Sequence, residues 1–283
     1  MNRRIAADAA VAVLLFGTIP VTVRSIEANP WTIGIFRLLV ATTAVGIFLA
    51  FSGQLRRIAA RDAARLVIIG AFFFTHWITL FFAIKASSAS VAAIGQSTYG
   101  IDLLLLAAIF TRHRIHASDV TAVCVAAAGA VLVVPAFNFS NDVTSGLALA
   151  CLSALFYAAL PLLHQRWSHI PNGTRTFGQF AVALLLFLSF AGRADWNLEA
   201  RDWAGLLYLA IAVTVLGHSL WVRVTTRVPS RITSIIYYAN IPFAVLLGVL
   251  LLDEPLSGRM AIGAAMIIGG SVYGLAAARS LPE

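Results

Sequence analysis

The sequence predicts an all-α integral membrane protein with ten transmembrane helices, arranged as two inverted five-helix repeats with both termini in the cytoplasm. The first supporting observation is composition: 60% of the 283 residues are hydrophobic, 11% are charged and the mean hydropathy is +0.89. Soluble domains carry about 25% charged residues, so this composition excludes a soluble globular protein. The second is a series of apolar runs long enough to span a bilayer, and the third is an internal repeat.

Ten apolar runs of about 17 to 22 residues, each bounded by charged or turn residues, form the predicted spans. The first half holds residues 5–23, 31–51, 66–84, 91–110 and 118–136. The second half holds residues 146–163, 174–191, 203–222, 232–252 and 260–278. The first run follows two arginines, as a secretory signal does, but it lacks a convincing cleavage site, and we expect it to be a retained span.

Basic residues are distributed unevenly between the two sides of the predicted membrane. Most of the 20 lie in the N-terminal segment and in the loops on its side. The opposite loops hold Arg24, Lys85, Arg193, Arg201 and Arg259, and one arginine lies inside the second run. Because cytoplasmic loops carry the excess of basic residues, this distribution places both termini in the cytoplasm.

The two halves of the sequence resemble each other when one is shifted by 141 residues. The shift superimposes the pairs Pro20/Pro161, Phe36/Phe177 and Gly129/Gly270, and it aligns residues 91–94 with residues 232–235. We therefore divide the chain into a first repeat at residues 1–137 and a second at residues 138–283. Because each repeat holds an odd number of spans, the second must enter the membrane upside down, an architecture typical of secondary transporters.

The ninth and tenth spans carry short motifs that point to a family. Span nine contains Asn240-Ile241-Pro242 and ends at Asp253-Glu254-Pro255, and Gly269-Gly270 lies in span ten. Together with the duplicated five-helix unit, these motifs resemble the EamA branch of the drug/metabolite transporter superfamily over the whole chain, most closely its bacterial aromatic amino-acid exporters. The resemblance implies a basket-like fold, a central cavity between the halves, and export of amino acids or related metabolites. The first repeat departs from the motif, with Ile101 at the position of the proline.

In such a fold, substrate is expected near the middle of the membrane, where broken helices expose backbone polar groups. Pro20 and Pro161 occupy equivalent positions in spans one and six, and Pro242 lies in span nine. Each proline removes a backbone donor, so we expect all three to break or loosen helices and to take part in gating; the alternative is a static kink.

Polar residues recur at matching depths in the two repeats. Gln96 and Tyr99 lie three residues apart on span four, and the shift carries them to Tyr237 and Asn240 on span nine, next to Tyr238. Hydrogen bonds between helices would explain the polarity alone. A substrate cavity at the repeat interface explains the symmetry as well, so we predict that these residues line it.

Aromatic and imidazole side chains form a second set of candidates. They are Phe16 on span one, His76 and Trp77 on span three, Tyr157 on span six and His218 on span eight. Aromatic rings attract an ammonium group and stack on apolar side chains, which is typical of a site for a zwitterionic amino acid. For any single ring, packing is the alternative.

Ionisable residues inside the spans are few. Asp102, one turn beyond Tyr99, is the strongest candidate for proton coupling, and His76 and His218 are further candidates because imidazoles titrate near neutrality. The alternatives are an internal ion pair for the aspartate and a buried neutral ring for each histidine. Asp8 and Arg37 lie close enough to span ends to extend toward the headgroups, and we expect structural roles for both.

Missing motifs disfavour several other functions. The sequence has no P-loop, no zinc-binding His-Glu-x-x-His helix and no serine-nucleophile motif, so we expect no ATP-driven transport, no metal or cofactor, and no intramembrane enzyme. No repeated filter loop suggests a channel. The arginines stand singly or in pairs at the ends of apolar runs, which disfavours a nucleic-acid partner, and both cysteines lie in apolar runs, which disfavours a disulfide.

The sequence thus predicts a multi-pass carrier of a bacterial-type cytoplasmic (inner) membrane. We expect it to export aromatic and other hydrophobic amino acids, with threonine and methionine as further candidates, by alternating access around a central cavity. Another small metabolite or a drug is the alternative cargo. The expected partners are this small molecule and the lipid bilayer, and we expect a monomer, with a homodimer as the alternative because small residues in spans five and ten allow close helix approach.

Overall fold

The computed structural model of the chain describes residues 3–54, 58–111, 117–133, 142–228, 233, 236–237 and 239–277, and the regular elements in these residues are helices. The first half forms α1 (Arg3–Gly17), α2 (Ile19–Ser25), α3 (Pro30–Phe51), α4 (Ala60–Ala86), α5 (Ala89–Gln96), α6 (Tyr99–Thr111) and α7 (Ala117–Val133). The second half forms α8 (Asp142–Arg166), α9 (Asn172–Leu188), a short 3₁₀ turn (Ala191–Arg193), α10 (Ala200–Tyr208), a π-helical segment (Leu209–His218), α11 (Ser219–Arg227), α12 (Asn240–Leu252) and α13 (Gly258–Ala277).

Helix occupies part of each predicted span. Among the described residues, six stretches are long and apolar enough to cross a membrane: 3–25, 30–51, 60–86, 89–107, 142–166 and 200–227. Shorter apolar helices follow, beginning at Asn240 and at Gly258. The chain is therefore a multi-pass helical membrane protein. The full count of ten spans, the inversion of the repeats and the side of the termini stay predictions.

Spans one, four and nine are interrupted near their middles. Span one breaks at Thr18, and Pro20 follows in the first turn of α2. At that position a backbone N–H would have no partner within the helix, so the proline costs no hydrogen bond. Span four breaks at Ser97 and Thr98 without a proline, and the Thr98 N–H donates to the Gly95 carbonyl at 3.2 Å. The equivalent N–H of span nine, at Ala239, also donates three residues back at 3.2 Å. The two repeats thus share one interruption at the same position.

The two other prolines differ from the sequence expectation. α8 continues through the buried Pro161 without interruption, since one lost backbone bond is tolerated in a helix that neighbouring helices support. Pro242 is the third residue of α12 and is exposed, so it follows the interruption instead of causing it.

The two halves pack against each other along most of their length. α4 contacts α8 and α9, α3 contacts α9 and the π-helical segment, and α5 contacts α8 and α12. α7 of the first half packs along α13 of the second half. This arrangement leaves the centre of the molecule enclosed by helices from both halves.

The close approach of α3 and α9 depends on Gly34. A Cβ atom there would lie 2.2 Å from Cε1 of the fully buried Phe187 ring. Gly34→Ala is therefore expected to destabilise the protein by about 1–3 kcal/mol, because ring and helix must shift. Thermal unfolding of the purified protein in detergent measures the effect. Gly258→Ala is the control, since its Cβ would meet no atom within 4 Å, and equal melting temperatures for the two variants would contradict the prediction.

Candidate functional site

A small cavity lies between the two halves, beside the interruptions of spans one, four and nine. Its aromatic, imidazole, amide and proline residues are ones that the sequence predicts for the site: Phe16, Pro20, His76, Gln96, Tyr157, His218, Tyr237 and Asn240. Three apolar residues complete the wall: Ile19, Leu80 and Ala93. Both repeats contribute, so the cavity is a shared surface and not a pocket within one half.

His218 stands at the centre of a group of rings. Its centroid lies 4.6 Å from that of Phe16, 5.1 Å from Phe73 and 5.6 Å from Trp77. The π-helical segment ends at His218, and such wide turns are frequent at functional sites. Tyr157 contacts His218 edge to face at 6.4 Å and stacks on His76 with centroids 4.3 Å apart and an interplanar angle of 20°. The cavity is therefore lined by both ring faces and ring edges.

Ser153 joins three spans by hydrogen bonds. Its hydroxyl donates to the His76 carbonyl at 2.8 Å and accepts from the Gln96 side-chain nitrogen at 2.7 Å. The His76 Nδ1 atom lies 2.7 Å from the same hydroxyl oxygen, which makes Nδ1 the protonated nitrogen in this arrangement. These bonds hold α4, α5 and α8 together and fix the orientation of the cavity side chains His76 and Gln96.

The span-nine side of the cavity is built by Tyr237 and Asn240. The Asn240 side-chain nitrogen donates to the Tyr237 carbonyl at 2.6 Å, across the interruption of the span. The Tyr237 ring lies 4.3 Å from that of Tyr99 and 5.5 Å from that of Tyr157. Tyr238, also predicted for this surface, lies outside the described residues.

Five of the described residues that the sequence predicts for the site do not line the cavity. Tyr99 lies one layer behind it, against the rings of Tyr237 and Tyr157. Pro161 lines a separate small crevice near His164, and Pro242 is exposed. Asp102 is half-buried on α6 and accepts a hydrogen bond from the Thr98 hydroxyl at 3.0 Å, away from the cavity wall.

Trp77 also lies outside the cavity, because it packs beneath Arg37. The guanidinium carbon of Arg37 is 4.1 Å from the Trp77 ring centroid, and both side chains are almost completely buried. Arg37 therefore does not extend to the headgroups, contrary to the sequence expectation, because Thr214 and the rings of α4 hold it inside the bundle. Asp8 pairs with Arg223 on α11 at 3.2 Å, a structural contact between the halves.

The cavity has a volume of about 30 Å³, room for no more than a few water molecules. No amino acid fits this space. The structure thus represents a closed arrangement, and entry of any solute of that size requires the surrounding helices to separate.

Sequence reasoning missed Ser153 and the burial of Arg37. The 141-residue shift aligns Ser153 with Ala12, so the repeat pattern gave no signal for it. The sequence signal for Ser153 was a hydroxyl in the middle of an apolar span, far from the span ends. For Arg37, distance from the span end was a misleading guide, because neighbouring helices and not span position decide its exposure.

Ser153→Ala is expected to destabilise the protein by about 1–2 kcal/mol, because Gln96 and His76 lose a buried partner together. The melting temperature in detergent measures the loss. Ser145→Ala on the same helix is the matched control, since among the described residues that hydroxyl bonds the Asp142 carbonyl one turn away and no residue of another helix. A Ser153→Ala protein as stable as the Ser145→Ala protein would refute the prediction.

Comparisons with known proteins agree with the membrane fold. The sequence model of the EamA-like transporter family matches residues 6–134 and again residues 144–274. The "Uncharacterized transporter YxxF" of Bacillus subtilis is 24% identical over 269 residues, which cover 92% of this chain and 86% of the relative. An "Uncharacterized transporter" of Archaeoglobus fulgidus is 25% identical over 265 residues, 91% of this chain and 92% of its own. A solved crystal structure shares the fold over the full length of both chains, with a TM-score of 0.72 at 19% identity. Because the family matches cover most of its length, this chain belongs to the EamA-like transporter family.

Proposed function

We propose that this transporter is a secondary carrier that exports aromatic and other hydrophobic amino acids, with threonine and methionine as further candidate substrates. One observation carries the proposal: the cavity between the halves combines ring faces with amide and imidazole groups. The direction of transport and an inner-membrane location rest on the resemblance to bacterial exporters.

The chemistry of the cavity suits a zwitterion with an apolar side chain. The rings of Phe16, Tyr157 and Tyr237 offer faces on which an apolar or aromatic side chain stacks, and they attract an ammonium group. The amides of Gln96 and Asn240 supply polar atoms beside them. The Gln96 carbonyl oxygen is buried without a hydrogen-bond partner among the described residues, which leaves it free to accept from an ammonium group.

Transport would follow from an alternation between closed and open arrangements of the two halves. A cavity of about 30 Å³ must widen to admit an amino acid. The interruptions at Thr18, Thr98 and Ala239 provide points at which each span can bend without breaking a continuous ladder of hydrogen bonds. In our proposal the repeats are inverted and both termini are cytoplasmic, so the same bending in either half opens opposite faces.

Counterflow in proteoliposomes tests the proposal. Purified protein is reconstituted, and uptake of labelled phenylalanine, tryptophan, methionine, threonine and a dipeptide is measured with and without a pH gradient. The expected result is saturable uptake of the aromatic and hydrophobic amino acids, accelerated by unlabelled substrate inside. Counterflow separates a carrier from a channel, because flux through a channel is not accelerated by substrate on the opposite side.

Absence of flux for every amino acid would overturn the substrate class. Nucleosides, drugs and sugar phosphates would then be screened as the alternative cargo. A response to the pH gradient would indicate proton coupling, for which Asp102, His76 and His218 are the candidate groups. Uptake that ignores the gradient would indicate facilitated diffusion instead.

A further inference from the structure

Arg37 is a buried arginine with an incomplete set of partners. Its side chain is 0% exposed, and its Nε donates to the Thr214 hydroxyl at 3.0 Å. Both terminal nitrogens are buried without a hydrogen-bond partner among the described residues. A guanidinium has five N–H donors, so most of its bonding capacity is unused.

The charge of Arg37 is also uncompensated. The ion pairs in the described part of the chain join Asp62 with Arg65 and His169, and Asp8 with Arg223, and none of them includes Arg37. Its guanidinium lies instead over the Trp77 ring at 4.1 Å and the Phe81 ring at 5.3 Å. Cation–π contacts offset only part of the cost of a buried charge, and they leave the edge of the guanidinium fork unoccupied.

This cation lies one side chain away from the candidate site. Trp77, which covers it, has its ring 5.6 Å from that of the cavity residue His218. Thr214, which holds it, lies one turn before His218 on the same π-helical segment. Opening of the bundle that moves Trp77 or the π-helical segment would therefore bring the guanidinium to the cavity.

We propose that the guanidinium of Arg37 binds the carboxylate of the transported amino acid, through its two unpaired terminal nitrogens. This inference rests on the proposed function and names the group that recognises one end of the substrate. A planar fork of N–H donors matches a carboxylate with two parallel hydrogen bonds, and the substrate supplies a counter-ion that the described residues do not provide. The carboxylate is therefore a requirement for tight binding.

Competition between phenylalanine and phenylalaninamide tests the requirement. The amide keeps the ring and the amine but has no carboxylate. In counterflow with labelled phenylalanine, the wild-type carrier should need at least about ten times more amide than phenylalanine for half-inhibition. Arg37→Gln should lose this preference, and Arg37→Lys, which keeps the charge without the fork, should retain only part of it. A preference that is unchanged in Arg37→Gln overturns the inference while the proposed function stands.

Arg193→Gln is the matched control. Arg193 also lies over an indole, 5.7 Å from the Trp31 ring, but it is exposed in the 3₁₀ turn, so its loss should leave the preference intact. Should Arg37→Gln fail to fold, as judged by gel filtration, Arg37→Lys decides, and an unchanged preference in that variant refutes the inference.

A second measurement applies if the wild type transports no amino acid. Thermal stability of the purified protein is then compared in phenylacetate and in phenylacetamide. Stabilisation by the anion that is weaker in Arg37→Lys than in the wild type supports a carboxylate site in a carrier of other substrates. Equal melting temperatures in the two compounds overturn the inference as well as the proposed substrate class.

Discussion

Glu254→Ala is expected to open the cavity toward the loop that follows α12 and to lower the transport rate about tenfold. Glu254 belongs to the second half, yet both of its carboxylate oxygens accept backbone hydrogen bonds from the first half. The donors are the N–H groups of Ala89 at 2.7 Å and Ser90 at 2.8 Å, in the first turn of α5. The side chain thus fastens one half to the other.

Helix electrostatics explain why this contact is strong. The first N–H groups of a helix have no partner within it, and they carry partial positive charge that a carboxylate satisfies. Alanine removes the anion and leaves two N–H groups of α5 without an acceptor. Because water can bond them when the halves separate, the substitution favours the open arrangement. A shift of about 1.4 kcal/mol between arrangements corresponds to a tenfold change in their ratio. Glu254→Gln keeps an acceptor without the charge, so an intermediate effect is expected.

Cysteine labelling measures the opening directly. Ala93, a buried residue of the cavity wall, is changed to cysteine after Cys124 and Cys151 have been replaced by alanine. A membrane-impermeant maleimide applied from the Glu254 side should label Ala93→Cys several-fold faster when Glu254 is alanine. The control is Glu27→Ala, an exposed acid in the loop after α2. If the labelling and transport rates match those of the parent protein, Glu254 does not hold the two halves together.

The helices follow from apolar runs, and the composition of the candidate site follows from the repeat. When two equivalent spans carry polar residues at the same depth, both sets of residues are expected at the interface between the halves. The polar pair Gln96/Tyr237 obeys this rule, the aromatic pair Phe16/Tyr157 follows the same symmetry, and all four residues lie at the cavity. Symmetry locates such residues because chance polarity in one span is seldom repeated in the other.

The sequence pattern could not predict the details in which the two repeats differ. Span four is interrupted without a proline, whereas α8 continues through Pro161. Packing against neighbouring helices therefore determines where a helix is interrupted. Trp77 and His218 are equivalent by number, yet only His218 lines the cavity, since Arg37 occupies the face of Trp77. Contacts between distant spans set these outcomes, and a single span does not contain that information.

His218→Phe is expected to lower transport at least tenfold while leaving the protein folded. The His218 ring packs against Phe16, Phe73 and Trp77, and its Nε2 atom is buried without a hydrogen-bond partner among the described residues. Phenylalanine preserves the ring contacts with Phe16 and Phe73, so the melting temperature should fall by only a few degrees. In our proposal Nε2 binds the substrate, so its loss should raise the KM for transport.

Two further variants distinguish the loss of a substrate contact from the loss of packing. His218→Ala removes the ring as well, leaving a gap among Phe16, Phe73 and Trp77, so it should lose both stability and transport. His169→Phe is the control, because that side chain is 51% exposed and pairs with Asp62 outside the cavity. Normal transport by His218→Phe, with defects confined to His218→Ala, would mean that the histidine serves packing alone. The binding surface would then have to be sought in the amides of Gln96 and Asn240, whose contacts do not depend on that ring.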